Sequence, residues 1–305
     1  MTGFPGYRLP EELVALREQI RRFIRDEIIP LEQRLDPDAS DIPAEDFKRL
    51  SAKTKATGLW CLGAREEYGG GGMDTFSMSV LLEEMAQHRM GLYNPACGVF
   101  GRTPAPFIFG GSREQIVRYA VPAIREGYKT FFAITEPSGG SDPAGAIQTT
   151  AVKKDGHWVL NGTKIFISNA HEAEWGVVFA RTDRAKGRAG ISCFIVEKDT
   201  PGFTARPIRT IRTVAIPNEV HFEDCRLPLE NLVGEEGRGL ELALGGLVKN
   251  RFPTPPATSA WPWPRTGWPS PTPSSARPSG CRCPSARPSS GCSSTPRWRS
   301  ARRAG

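Results

Sequence analysis

The stretch Ala133-Ile134-Thr135-Glu136-Pro137-Ser138-Gly139-Gly140-Ser141-Asp142-Pro143-Ala144-Gly145 lies where the chain changes its periodicity. Upstream of it, apolar residues recur at three- and four-residue steps. Downstream of Lys129 they alternate every second residue. The stretch itself reads as a turn: Pro137 presets φ, and Gly139-Gly140 allows a tight reversal. The amides of such a turn need acceptors. Glu136 is placed to supply them, so its expected task is to hold the loop.

On the upstream side, residues 11–35 carry Leu13, Leu16, Ile20, Phe23, Ile24 and Ile28 on one helical face. Pro43 opens a second helix that Gly58 stops. Residues 76–88 form a third. Residues 112–126 form another, with Ser112 as its N-cap. Gly69 to Gly72 read as a turn rather than a phosphate cradle.

On the downstream side, Asp155-Gly156 is a hairpin turn flanked by strand-like residues. GVVFAR, ISCFIVEK, TARPIRT and NEVHFEDC follow as short β runs. Helix returns over 236–249, behind Gly234, Gly237 and Gly239. That glycine spacing is not GxGxxG and no strand–turn–helix unit surrounds it, so it reads as a turn into a helix. The expected fold class is α+β. A helical domain (1–128) is followed by an antiparallel β-domain (129–233), the start of a third, helical domain (234–251) and a disordered Pro/Ser/Arg-rich tail (252–305).

With these elements in place, the 133–145 stretch matches at every fixed position a pattern of small–aliphatic–Thr–Glu–x–x–small–Gly–Ser–Asp–x–x–small. Glu67-Tyr68-Gly69-Gly70 lies upstream. Asn161-Gly162-Thr163-Lys164-Ile165-Phe166-Ile167-Ser168-Asn169, Phe222-Glu223-Asp224 and 233–239 lie downstream. Over about 10–251, in order and spacing, the chain resembles the acyl-CoA dehydrogenases, flavoenzymes that desaturate acyl-CoA thioesters.

The resemblance implies FAD as cofactor, with Phe132, Ile134, Thr135, Phe166, Ile167 and Ser168 lining it. Thr135 would donate from its hydroxyl. Phe166 stands where the family often has Trp, and Ser168 where Thr is common, so an aromatic face and a hydroxyl are kept. Ser141 would touch the CoA part of the substrate, and Arg251 would meet its phosphate or adenine by a charge-assisted bond. Electron-transfer flavoprotein is the implied electron acceptor and a homo-oligomer the implied assembly. One departure is the stretch 212–219, where many members carry a Ser-x-Thr pair; this puts a phosphate-contacting role of that loop in doubt.

The implied reaction needs a glutamate base near the thioester, its pKa raised by burial. Glu136 is not that residue in the family. Most members carry the base in the C-terminal helical domain, and a minority just before the arginine matched by Arg251, where this chain has Asn250. No catalytic residue is therefore assigned, and the chain as written is expected to be inactive. A non-catalytic flavin-binding remnant of the same fold is the alternative.

Composition supports a break after Arg251. Residues 252–305 hold 12 Pro, 11 Ser and 8 Arg, with no Leu, Ile, Val, Met, Lys, Asp or Glu. The net charge of +7 is the tail's +8 plus −1 for the rest, so the basic balance gives no reason to expect nucleic acid binding by the body. Read from the third base of each codon, every Trp or Cys becomes Leu, Met or Val, and Trp261-Pro262-Trp263-Pro264 becomes alternating large apolar residues and Ala. An out-of-frame translation of a helical segment is the reading this favours over a natural disordered tail. Cys61, Cys97, Cys193 and Cys225 have no metal spacing, and the four histidines sit in no ligand pattern, so no metal is expected. No apolar run approaches the length of a membrane span and no signal peptide opens the chain, which points to a cytoplasmic protein.

Overall fold

The computed structural model describes residues 8–36, 39, 41–88, 95–210 and 216–251; side chains between 95 and 96 and after 247 are outside that description. The tail and the 212–215 departure also lie outside the described residues.

The helical part begins with α1 (Glu11–Phe23), which runs through a π turn (Ile24–Ile28) into α2 (Ile29–Arg34). A second π turn (Ile116–Ala120) joins α6 and α7 further on. Each π turn stands just before a proline, Pro30 or Pro122, inside the following helical turn. Proline lacks an N–H and its ring crowds the carbonyl four residues back. Widening the preceding turn removes that conflict while keeping the helix continuous.

Between these lie α3 (Ala44–Ala56), α4 (Thr75–Met85) and α5 (Pro95–Gly98). Helix α3 ends at Gly58, whose φ of +72° a side chain would resist. Asp74 caps α4 by accepting from the Ser77 amide at 2.9 Å. A 3₁₀ turn (Pro106–Gly110) leads to α6 (Arg113–Gln115) and α7 (Val121–Glu126). Ser112 and Gln115 form a reciprocal capping box, so the expected start at Ser112 is where the helix begins.

The sheet contains β1 (Thr130–Ala133), β2 (Thr150–Lys154), β3 (His157–Ser168), β4 (Trp175–Arg181), β5 (Ile191–Glu197), β6 (Phe203–Pro207), β7 (Pro217–Pro228) and β8 (Leu232–Val233). Its order is β6-β7-β3-β2-β4-β5-β8, with β1 attached to β4. A short helix α8 (Pro143–Ala146) follows β1, and α9 (Gly239–Arg251) follows β8. Asp155 and Gly156 both adopt positive φ, the geometry of a tight hairpin between β2 and β3.

Most pairings are antiparallel, as alternation predicts. The β1–β4 pair and a single β2–β4 step run parallel instead. Parallel neighbours need a long crossover, and residues 134–174, which include the β2–β3 hairpin, provide it. That pairing is nonlocal, so no local pattern announces it.

Three large apolar clusters form. One lies among the early helices, around Ile20, Ile28, Leu50 and Leu81. A second joins Phe107, Ala120 and Ala123 to Val177, Phe179 and Cys193 of the sheet and to Leu240 and Ala243 of α9. The third, with Trp158, Leu160, Phe194 and Phe222, lies on the sheet.

Candidate functional site

After β1 the chain runs beside β3. The Ile165 amide donates to the Thr135 carbonyl at 3.0 Å. Behind this contact sits a buried ion pair. Lys164 Nζ, fully buried, donates to Glu136 Oε1 at 2.8 Å, to the Phe179 carbonyl at 2.5 Å and to the Ile134 carbonyl at 3.4 Å. The Glu136 carboxylate also accepts from the amides of Gln148 at 2.6 Å and Thr149 at 3.0 Å. Burial alone would raise the Glu136 carboxyl. The Lys164 charge and the hydrogen bonds from Lys164, Thr149 and Gln148 outweigh it and hold the group below its ordinary value. Burial pulls the Lys164 ammonium down to about 8 against the opposing pull of Glu136. The Glu136 carboxylate therefore ties down the segment at Gln148 and Thr149 rather than the amides of the glycine turn it was expected to hold; the Gly139 amide of that turn donates to the Glu136 backbone carbonyl at 3.0 Å. Bonded on every side, it is not presented as a base.

Two residues beyond Lys164, β3 breaks its alternation. The register against β7 shifts between Lys164 and Ile167, so three steps on β3 face two on β7. Phe166 sits in this β-bulge at a φ of +61°. In an unbroken strand Lys164, Phe166 and Ser168 would share one face. The bulge reverses the parity: Lys164 points into the core, while Phe166 is 62 % exposed and Ser168 is exposed beyond the buried Ile167. A bulky residue in the left-handed region carries strain that the surrounding pairing has to hold, and such strain concentrates at working sites.

The structure thus brings the segment carrying Ile134 and Thr135, both half-buried, beside the end of β3, where Phe166 and Ser168 are exposed. The Thr135 and Ser168 hydroxyls make no hydrogen bond among the described residues. Gly140 folds back over Thr135; a Cβ on it would meet Thr135 Cγ2 at 3.3 Å. Ser141, next in the chain, is exposed. Arg181 fixes the following α8 by donating to the carbonyls of Ala144 at 2.8 Å and Ile147 at 3.1 Å.

Two expected residues stand differently. Ile167 buries its side chain in the sheet core, and its carbonyl accepts from Asn218 Nδ2 at 2.9 Å. Phe132, 39 % exposed, packs edge-on against Phe107 at 5.2 Å. Arg251 closes α9, and its side chain lies outside the described residues.

A separate cavity of about 1140 Å³ opens between α4, the Pro106–Gly110 turn and α9, lined by Met73, Met78, Leu82, Met85, Phe109 and Leu242 among others. None of the site residues expected from sequence lines it.

Residues 10–127 match the acyl-CoA dehydrogenase N-terminal domain and residues 131–225 the acyl-CoA dehydrogenase middle domain. The chain belongs to the acyl-CoA dehydrogenase family. The short-chain specific acyl-CoA dehydrogenase of Mus musculus is 35% identical over 262 residues, covering 82% of this chain and 60% of that protein. An acyl-CoA dehydrogenase of Bacillus subtilis is 35% identical over 252 residues, covering 79% of this chain and 63% of that protein. The crystal structure of an acyl-CoA dehydrogenase from Geobacillus kaustophilus superposes with a TM-score of 0.68 at 31% identity, covering 83% of this chain and 66% of that one. The chain therefore spans less than two thirds of the length of these relatives.

In this chain of the acyl-CoA dehydrogenase family the Asn161–Asn169 motif has a physical reading that spacing does not reveal. Asn161 exchanges two hydrogen bonds with Asp224, at 3.1 and 2.8 Å, across a second register shift between β3 and β7. Gly162 at a φ of +150° passes so close to Thr149 that a Cβ would lie 2.5 Å from its Oγ1. Lys164 closes the buried pair. Sequence reasoning placed Lys164 in a motif but gave it no role; the signal available was a lysine inside a strand otherwise written in apolar and β-branched residues. The four histidines are satisfied locally, His88 against Glu32 at 2.7 Å and His221 against Thr163 at 3.1 Å among them. Among the described residues no His, Cys, Asp or Glu cluster could hold a metal, and no helix is long and apolar enough to cross a membrane.

Proposed function

We propose that the surface formed by Ile134, Thr135, Phe166 and Ser168 at the end of β3 binds the isoalloxazine of FAD, and that Ser141 and Arg251 meet the CoA part of an acyl-CoA. The observation that carries this reading is the Phe166 bulge. It turns an aromatic face and the Ser168 hydroxyl outward beside the Thr135 segment, where an unbroken strand would put both on the face of the buried Lys164. The donor set fits a flavin: an aromatic ring to stack on, two hydroxyls to donate, and a backbone edge already ordered by Lys164. The flavin would supply the hydride acceptor at N5 for desaturation of an acyl-CoA to the 2-enoyl-CoA. Ile167 contributes by filling the core beneath the bulge rather than by touching the cofactor. Phe132 flanks the site through Phe107.

The same reading makes electron-transfer flavoprotein the electron acceptor and a homo-oligomer the working assembly. The buried cysteines Cys61, Cys97, Cys193 and Cys225 form no disulfide among the described residues, which suits a reducing compartment such as the cytoplasm. The domain division follows the sequence reading, with the flavin contacts in 129–233.

Turnover by the 305-residue chain is a different matter. Abstraction of the α-proton needs a carboxylate at the thioester. Glu136 is committed to Lys164 and two amides, position 250 is Asn, and 252–305 contains neither Asp nor Glu. The chain is therefore read as flavin-binding without dehydrogenase turnover. The test is to purify it with added FAD, record the visible absorbance of bound flavin, then add acyl-CoA without oxygen. Retained flavin that does not bleach is the expected result. Bleaching would sink the inactivity, and a colourless protein that takes up no FAD would sink the flavin site itself.

A further inference from the structure

The buried Glu136–Lys164 pair has more connections than loop-holding requires. Lys164 touches β1's continuation through the Ile134 carbonyl and β4 through the Phe179 carbonyl, while belonging to β3 itself. Glu136 touches the strand-leading segment 148–149. One ion pair thus ties together the segments that carry Thr135 and Phe166. It does so at a cost, since two charges are withdrawn from water. Well-packed neutral residues of similar shape would serve stability about as well. What they could not reproduce is the fixed distance from one nitrogen to three acceptors, two on the 134–136 segment and one on β4.

We propose that Glu136 and Lys164 are positioning residues, a pair that locks the Thr135 segment against the Phe166 bulge so that both meet a flavin in one geometry. Neither group touches the cofactor. This rests on the flavin reading above, but its mechanical half does not. The Ile165 amide, bonded to the Thr135 carbonyl, reports the lock in the chain without any flavin.

The experiment compares the full chain with Lys164→Met, Glu136→Gln and the double variant. Each single change leaves a buried charge without its partner and lowers the melting temperature. The double variant removes both charges and is expected to recover most of that temperature. FAD affinity, read by quenching of flavin fluorescence, and the resolved shape of the bound flavin's absorbance are not expected to recover. Affinity stays weaker by about ten-fold or more, because the first contacts are held by a looser support. Amide exchange at Ile165 in the flavin-free double variant should be faster by a similar factor, while amides elsewhere in β3 exchange as in the parent. If flavin affinity and spectrum return together with stability, the pair is structural only and the proposal falls. Unchanged Ile165 exchange in the double variant overturns it equally. If the parent chain binds no FAD, the flavin reading has failed by itself, and the Ile165 exchange still decides the lock. Should a single variant not fold, the double variant carries the comparison.

Discussion

At the scale of single residues, Phe166 is where stability and the proposed site pull apart. Holding a non-glycine residue in the left-handed region costs about 1 kcal/mol or somewhat more. With 62 % of its surface exposed, the Phe166 side chain returns little of this through packing. Glycine accepts the φ of +61° without the steric conflict, at the expense of more chain entropy in the unfolded state. Phe166→Gly is therefore expected to leave the stability of the chain unchanged or raise it by up to about 1 kcal/mol in urea melts, while flavin binding falls sharply. A loss of stability of several kcal/mol would show that the ring is a core residue and not a cofactor face. Ser168 offers the contrast. It is exposed, has no positive φ, and its hydroxyl makes no hydrogen bond among the described residues, so its replacement by Ala should move affinity alone.

Among the elements, β3 decides the site, and its two register shifts against β7 do the work. Gly162 lies between them. Its φ of +150° belongs to glycine, and its backbone passes against Thr149 with no space for a methyl group. Gly162→Ala must shift either Thr149, whose amide serves Glu136, or the β3 backbone. Strain of this kind costs about 1–3 kcal/mol, so a drop in that range in the urea midpoint at unchanged slope is expected; a neutral Gly162→Ala would mean that the close approach is not there. The elements whose causes are local were legible in sequence. The Ser112 cap, the Gly58 stop and the Asp155-Gly156 hairpin each depend on residues within a few positions. The family motifs likewise pointed to the Thr135 segment and the 161–169 strand, which the Ile165 amide joins to the Thr135 carbonyl. Parity within β3 was not legible, because alternation read from Lys164 through Phe166 to Ser168 puts a charge and an aromatic ring on one face. Only the register against β7, set by residues 50 or more positions away, inserts the extra step. The burial of Lys164 was hidden for the same reason: its carboxylate and two carbonyl partners come from other segments.

At the scale of the whole molecule, the boundary between helices and sheet is not a seam in the packing. Phe107, Ile108, Tyr119, Ala120 and Ala123 belong to the helical part by sequence, yet they share a core with Trp175, Val177, Phe179 and Cys193 of the sheet. Polar contacts reinforce this. Gln115 Nε2 donates to the carbonyls of Glu230 at 2.7 Å and Leu232 at 2.9 Å, and the Tyr119 hydroxyl donates to Glu197 at 2.6 Å. Helix α9 adds a third party: Gly246 fits against Phe107, and Gly239 against Ser192 of β5. The early helices, by contrast, close on themselves around Ile20, Leu50 and Leu81. Cooperative units follow shared cores rather than secondary-structure class. Native-state hydrogen exchange should therefore divide the chain inside the helical part. Amides of Tyr119, Ala120 and Ala123 are expected to open with those of Val177 and Phe179, and amides of α1 and α3 with each other at a different free energy. Gln115→Leu, which takes the donor from two part-buried carbonyls at about 1 kcal/mol, should lower the opening energy of the first group and leave the second where it was. Exchange that instead groups residues 113–126 with α1 and α3 would mean that the helical part folds as one body, and that the part of the sheet bearing Thr135 and Phe166 is ordered without help from α6 and α7.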